Sequence, residues 1–320
     1  MQSTFRITAI LLGAAILSLS ACGVPGAASA PVPASGSGAQ SNLLSNIAAR
    51  GTVVVSTDAD YPPQSAIKSN PQRASGTKCA PDQMTLGELE GFDIDTAAAI
   101  ASRLGVEACF VTPDWSLVTG GGWAGGWDIS VGSMAITSER VKVLYFAQPY
   151  YTSPAVLFIH AANTSYSQPS ELSGRRIGVL RGSTYQSYLD ATLSLPGVPL
   201  DFPIRNAQVA EYDDDNLPLV ALATGEGGQL DAVLTSQALG QQAIDAGQSL
   251  KQLGDPVFVE YLAPAIDRAS PLDPRSFVAN VSNIVASLHA DGTLLALSQR
   301  WYKTDLTSAA ARFDAAEFGK

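Results

Sequence analysis

Residues 52–63 read TVVVSTDADYPP, an apolar β-branched run followed at once by polar side chains and an aromatic ring. A valine run of this kind is typical of a strand buried on both faces of a sheet. In open α/β sheets the ligand binds beyond the carboxyl ends of the strands, where Asp58 and Tyr61 would lie. The stretch therefore predicts an α/β fold and one edge of a binding site.

Strand patterns alternate with helical patterns along the rest of the chain, which indicates parallel sheets covered by helices. No glycine-rich nucleotide motif occurs, so we expect no cofactor. Strands are predicted over 106–111, 128–133, 176–180 and 230–235, and helices over 95–104, 183–193, 217–224, 236–246, 277–288 and 293–302.

The composition excludes several classes of function. The chain has 320 residues, a net charge of −10 and no basic stripe, so nucleic acid is not expected as a partner. It has only 2 histidines and 3 cysteines, which argues against a metal site. An acidic binder or enzyme for small molecules remains.

The N-terminus resembles an export signal. Arg6 precedes an apolar run over 7–17 that is too short to cross a bilayer, so residues 1–21 are predicted to be a signal peptide. Leu19-Ser20-Ala21-Cys22 resembles the lipobox of bacterial lipoproteins, which implies lipidation of Cys22. An ordinary signal peptide with an incidental cysteine is the alternative.

Residues 22–45 are predicted to be the lipidated cysteine and a flexible tether. Residues 23–42 carry no charge and almost no large apolar side chain, so they cannot bury enough surface to fold. A tether of this kind implies a protein anchored by lipid to the outer face of the cell membrane.

Export also bears on the other two cysteines. Cys79 and Cys109 would lie in an oxidising compartment, where an even number of cysteines suggests a disulfide. Two unpaired thiols are the alternative.

Polar groups follow four predicted strands, in residues 56–63, 113–115, 132–140 and 181–184. Each group alone has a structural explanation; Ser183, for example, could simply cap a helix. The run Asp213-Asp214-Asp215 is interpreted as a solvated turn, since it lacks the spacing of a calcium loop.

Taken in order, several segments resemble the extracellular solute-binding proteins of polar amino-acid ABC transporters, family 3. The resemblance runs from about Gly51 to Lys303. Its segments are Gly91-Phe92-Asp93-Ile94-Asp95, Ile136-Thr137-Ser138-Glu139-Arg140, Phe146-Ala147-Gln148-Pro149-Tyr150-Tyr151, Leu172-Ser173-Gly174-Arg175-Arg176-Ile177-Gly178-Val179, Leu230-Asp231-Ala232-Val233, Ala290-Asp291-Gly292-Thr293 and Arg300-Trp301-Tyr302.

The resemblance implies a periplasmic-binding-protein-like fold with two α/β lobes and two crossing hinge strands. Lobe 1 would comprise 46–153 and 261–303, lobe 2 would comprise 154–260, and 304–320 would be a C-terminal tail. The expected protein is a monomer that closes its lobes over a ligand and delivers it to an ABC permease in the membrane.

The resemblance also implies roles for single residues. Arg140 would bind the ligand carboxylate, with Ser183 and Thr184 of the other lobe completing the contact. Tyr61 and Trp115 would flank the ligand side chain, and Asp58, Gly132 and Ser133 would lie near its side chain or ammonium group.

The sequence departs from the family pattern at four places. Ser236 replaces an aspartate that usually binds the ligand ammonium, so a ligand ammonium would have to find Asp58 or Asp60. Ala135 replaces a hydroxyl, and Gln64 replaces an aromatic side chain. Residues 65–87 form an insertion that contains Cys79 and is expected to cover the cleft mouth.

The leading hypothesis is a lipid-anchored receptor, not an enzyme, for a small carboxylate such as a polar amino acid or an analogue. An exported enzyme of the cyclohexadienyl dehydratase type is one alternative. Its weakness is a missing general acid, because the predicted cleft segments contain no His and no Glu besides Glu139. A ligand-sensing partner of a membrane receptor is the other alternative.

Overall fold

A computed structural model describes residues 42–225 and 230–315, and in this part of the chain the predicted α/β class and two-lobe fold are confirmed. The predicted signal peptide, Cys22 and the tether up to residue 41 lie outside the described residues. The strands are β1 Thr52–Ser56, β2 Asp60–Tyr61, β3 Ser65–Ile67, β4 Leu89–Glu90, β5 Glu107–Val111, β6 Ile129–Ser130, β7 Leu144–Phe146, β8 Tyr151–His160, β9 Arg176–Leu180, β10 Gln208–Tyr212, β11 Ala232–Ser236, β12 Leu250–Leu262 and β13 Ala265–Asp267.

Eight α-helices accompany these strands within the described ranges. The first begins at Leu43, inside the segment 22–45 that was expected to be a tether, because Asn42 caps it and Leu43 and Ile47 are buried. The helices are α1 Leu43–Arg50, α2 Phe92–Leu104, α3 Trp115–Gly120, α4 Thr184–Leu189, α5 Leu217–Thr224, α6 Gln237–Asp245, α7 Arg275–Ala290 and α8 Thr293–Tyr302.

The first sheet has the order β5-β1-β6-β13-β7 and defines lobe 1. The valine run of β1 lies inside this sheet, parallel to β5 and β6, and is buried along its whole length. Its core includes Phe92, Phe110 and Phe277. The residues after β1 therefore lie at the edge of the sheet where the parallel strands β1, β5 and β6 end.

The second sheet has the order β10-β9-β11-β8-β12 and defines lobe 2. Strands β9, β10 and β11 are parallel to one another, so the loops after β9 and β10 emerge at the same edge. Strands β8 and β12 are antiparallel to each other and complete the sheet.

The chain crosses between the two sheets at the beginning of β8 and the end of β12. Strands β8 and β12 are already paired there, with Leu262 opposite Tyr151. Strand β13 then returns the chain to the first sheet. The lobe boundaries expected at 153/154 and 260/261 fall in this crossing region and stay a prediction.

The insertion over 65–87 begins with β3, which pairs with β2 and β4, and its part around Met84 lies along the edge strand β5. Met84 and Phe110 exchange backbone hydrogen bonds of 2.8 and 2.9 Å, so the insertion covers the edge of the first sheet. The predicted Cys79–Cys109 disulfide is confirmed and fastens it there. None of its residues lines the interlobe cavity described below, and the expectation that the insertion covers the cleft mouth stays a prediction.

In the described part of the chain, the helices are too short or too polar for any of them to traverse a bilayer.

Replacing both Cys79 and Cys109 by alanine should lower the free energy of unfolding. The bond closes a loop with a sequence separation of 30, for which the chain-entropy model gives about 3.6 kcal/mol. Denaturant unfolding measures this loss. A reductant should produce the same loss in the wild type and none in the double variant; identical midpoints for oxidised and reduced wild type would contradict the prediction.

Candidate ligand-binding site

A cavity lies between the two lobes, and together with the open space at its mouth it holds about 340 Å³ that protein atoms do not fill. Lobe 1 and lobe 2 both contribute to its wall, and β12 of the crossing region contributes one more side chain. The lining residues are Asp58, Tyr61, Trp115, Gly132, Ser133, Arg140, Leu180, Ser183, Thr184, Tyr185, Asp215 and Glu260. Eight of the ten predicted ligand-binding residues are thus brought together.

Arg140 is the central cation of this cavity, although only 8% of it is exposed. Its guanidinium donates to the Ala135 carbonyl of its own lobe and to the Gly182 carbonyl of the other lobe, both at 3.2 Å. The ring of Trp115 lies 5.4 Å from the guanidinium carbon. Burial lowers the pKa of Arg140 to about 10, while the charge of Glu260 opposes that shift, so the side chain stays charged at neutral pH.

Gly132 and Ser133 follow β6 and bring its backbone close to β1. A Cβ at Gly132 would lie 3.1 Å from the Thr57 Cα, so any larger residue would push these two backbone segments apart. Ser133 has φ 56, a left-handed conformation, and its Oγ donates to Asp93 Oδ2 at 2.7 Å. Tyr150 donates to the other oxygen of Asp93 at 2.8 Å, so the buried aspartate fixes the turn.

Lobe 2 contributes the start of α4. Ser183 caps this helix, its Oγ accepting the Gln186 N–H at 3.2 Å, and it also lines the cavity, where its role in ligand binding stays a prediction. The Thr184 hydroxyl donates to Glu260 and is therefore engaged within the protein rather than left for a ligand.

Aromatic rings form the apolar part of the wall. The Tyr61 and Tyr185 hydroxyls, from different lobes, lie 3.2 Å apart. The indole Nε1 of Trp115 is buried and has no hydrogen-bond partner among the described residues. A ligand acceptor is the natural partner for such a donor, because unpaired buried donors are unfavourable.

Carboxylates dominate the electrostatics of the cavity. Burial raises the pKa of Asp58 to about 6, with the charges of Asp60 and Asp214 adding to the shift. Burial likewise raises the pKa of Glu260 to about 7, while the Thr184 hydroxyl and the charge of Arg140 lower it in part. The cavity therefore takes up protons more readily than solvent-exposed carboxylates do.

Two predicted ligand-binding residues, Ala135 and Ser236, do not line the cavity. Ala135 pairs with Leu262 of the crossing strand and offers its carbonyl to Arg140. Ser236 caps α6, accepting the Leu239 N–H at 3.3 Å, and is fully buried. The Gln64 amide of lobe 1 lies 3.3 Å from the Ser236 Oγ and covers it.

Sequence reasoning missed four lining residues: Leu180, Tyr185, Asp215 and Glu260. The interpretation of 213–215 as a solvated turn is wrong for Asp215, which is buried beyond the end of β10. The position after a parallel strand was a signal that could have found it. Glu260 is the lone carboxylate in the apolar segment VFVEYL over 257–262, which was a second signal.

Comparison with known proteins agrees with this architecture. The model of the bacterial extracellular solute-binding proteins, family 3, matches residues 53–304. The L-cystine-binding protein TcyJ of Escherichia coli K12 is 24% identical over 84% of this chain and 89% of its own length. The ABC transporter arginine-binding protein 1 of the same organism is 25% identical over 76% of this chain and 88% of its own length.

Among solved structures, an ancestral amino acid-binding protein described as a precursor of cyclohexadienyl dehydratase superposes with a TM-score of 0.65. It is 24% identical and covers 81% of this chain and 99% of its own. The chain therefore belongs to the bacterial extracellular solute-binding proteins, family 3, and its predicted resemblance to that family is confirmed.

The raised pKa of Glu260 should make stability depend on pH. A carboxyl group whose pKa is higher in the folded than in the unfolded state stabilises fully below pH 4.5 and loses that contribution as pH rises through about 7. The free energy of unfolding of the wild type should therefore decline between pH 5 and pH 8. In Glu260→Gln this decline should be smaller by about 2 kcal/mol.

Denaturant titrations across this pH range measure the effect. Exposed Glu90 provides the matched control, since Glu90→Gln removes a carboxyl group that lies at the surface rather than in the cavity. Parallel pH profiles for the wild type and Glu260→Gln would contradict the assignment.

Proposed function

We propose that the protein is a lipid-anchored receptor of an ABC importer that captures a small carboxylate, a polar amino acid or an analogue, by closing its lobes. The observation that carries this proposal is the buried Arg140 guanidinium in a cavity walled by both lobes. A planar guanidinium binds a carboxylate through two parallel hydrogen bonds, which favours this ligand class.

The donor capacity of Arg140 supports a carboxylate ligand. A guanidinium has five N–H groups, and the bonds to Ala135 and Gly182 use one on each terminal nitrogen. One N–H on each terminal nitrogen remains for a ligand. Ser183 lines the same cavity from the other lobe, so a bound anion would contact both lobes and favour their closed arrangement.

The relatives support the amino-acid part of the proposal. Their names describe the binding of L-cystine and arginine, and the match covers most of both chains. Family membership supports delivery to a membrane permease and a location outside the cytoplasm.

The lipid anchor is proposed from the sequence, since Cys22 follows a lipobox-like segment and precedes an uncharged spacer. Cys22→Ser should release the exported protein from the membrane fraction into the soluble fraction. Fractionation of expressing cells measures this, with Cys79→Ser as a control that keeps the anchor. Membrane retention of Cys22→Ser would rule the anchor out.

A dehydratase is the second candidate, and Glu260 is the observation that favours it. The argument that the cleft lacks a general acid is wrong, because this glutamate lines the cavity with its pKa raised to about 7. Incubation of the purified protein with prephenate decides between the two. Turnover that Glu260→Gln abolishes would replace the receptor proposal, and its absence together with amino-acid binding supports the receptor.

Arg140→Ala should weaken ligand binding by about 3–5 kcal/mol, because the ligand carboxylate would be buried without its partner. The ligand is first identified by thermal shift with amino acids, keto acids and betaines, since binding to the folded state raises its stability. Calorimetry then compares the wild type with the variant.

Arg181→Ala is the matched control, because this arginine is 53% exposed and paired with Glu211 and Asp213. Arg140→Lys, which keeps the charge but loses the two-point geometry, should give an intermediate affinity. An unchanged affinity in Arg140→Ala would reject the proposed contact.

A further inference from the structure

The three consecutive aspartates at 213–215 have different surroundings. Asp213 forms an ion pair of 3.1 Å with Arg181. Asp214 accepts two backbone N–H groups at the start of α5, at 2.6 and 3.0 Å. Asp215 lines the interlobe cavity, is 4% exposed, and has neither a hydrogen bond nor an ion pair with any described residue. It is a buried carboxylate with no structural partner.

A second carboxylate lines the cavity from the opposite lobe. Asp58 lies in the loop after β1, and the Asn216 side chain donates to the Asp60 carbonyl, which joins that loop to the one containing Asp215. Burial and the charge of Asp58 hold the pKa of Asp215 well above its usual range. Two buried like charges on opposing lobes resist closure unless a positive charge lies between them.

The charges of the cavity do not balance without a ligand. Asp58, Asp215 and Glu260 line it, and Arg140 is the single cation among the lining residues. Glu260 is the carboxylate whose charge acts on Arg140, and it accepts a hydrogen bond from Thr184. No basic side chain lining the cavity is left for Asp58 and Asp215.

We propose that Asp58 and Asp215 together bind a positively charged side chain of the ligand, whose carboxylate binds Arg140. This inference rests on the proposed receptor function. Asp215 would supply from lobe 2 the negative charge that Ser236, covered by Gln64, cannot supply. The cation would also draw the two lobes together.

Protons compete with such a cation. The groups that act on Asp215 are Asp58, Asp60, Asp214 and Glu260, all of them acidic, and the neutral hydroxyls of Tyr61 and Tyr185 line the same cavity. Affinity for a cationic ligand should therefore fall as the pH drops through about 6, the pKa of Asp58, while binding releases protons.

The test uses L-arginine and L-citrulline, which have nearly the same shape and differ by one positive charge. Calorimetry on the wild-type protein should show tighter binding of arginine by about 100-fold or more. Asp215→Asn should remove most of this preference. Asp213→Asn, in the same loop but exposed, should keep it.

The outcomes separate this inference from the proposed function. Equal binding of arginine and citrulline, with both weakened by Arg140→Ala, would overturn the cation site and leave the receptor intact. An unchanged preference in Asp215→Asn, or a screen that finds only neutral or anionic ligands, would overturn it as well.

A second measurement needs no ligand. Small-angle scattering at pH 8 should show a smaller radius of gyration for ligand-free Asp215→Asn than for the wild type, because the repulsion across the cleft is removed. The difference should vanish near pH 5, where protonation has the same effect. Equal radii at pH 8 would count against the interlobe repulsion.

Discussion

Charge that is buried between two lobes must be neutralised, and this constraint governs the molecule. Arg140 meets it in part by donating to a carbonyl on each side of the cleft, Ala135 in its own lobe and Gly182 in the other. The negative charge of Glu260, a side chain that is only 3% exposed, acts on the same guanidinium. The cavity is thus built around charges that its lining residues do not balance, and under the proposed function a ligand of matching charge completes it.

The sequence was most informative where structure is local. Strands 52–56 and 176–180 and helices 217–224 and 293–302 have the predicted bounds, because apolar runs between polar or glycine residues define them. Helix α4 ends at Leu189 rather than at 193, since Ala191 takes a left-handed φ of 55 that a helix cannot continue. The crossing strands β8 and β12 depend on pairing over about 100 residues, which local patterns do not reveal.

The same distinction applies to the site. Asp58 and Arg140 reach the cavity because each follows a strand of the first sheet, a position that the sequence indicates. The burial of Asp215 and Glu260 depends on which elements pack against them, and three aspartates in a row look solvated until β10 is placed beside β9. The sequence shows which positions carry a carboxylate, but only the tertiary arrangement decides whether water reaches it.

Two positions that were expected to depart from the family pattern lie in contact with each other. Gln64, expected to replace an aromatic residue, contacts Ser236, expected to replace an aspartate, across the lobes, and both are fully buried. A carboxylate at 236 would be enclosed against a neutral amide, an unfavourable exchange for a hydroxyl that already caps α6. Once this position is neutral, an anion for a ligand cation has to come from elsewhere in lobe 2. Asp215 lines the cavity from lobe 2 and has neither a hydrogen bond nor an ion pair with any described residue, so it is the carboxylate there that is left for a ligand cation.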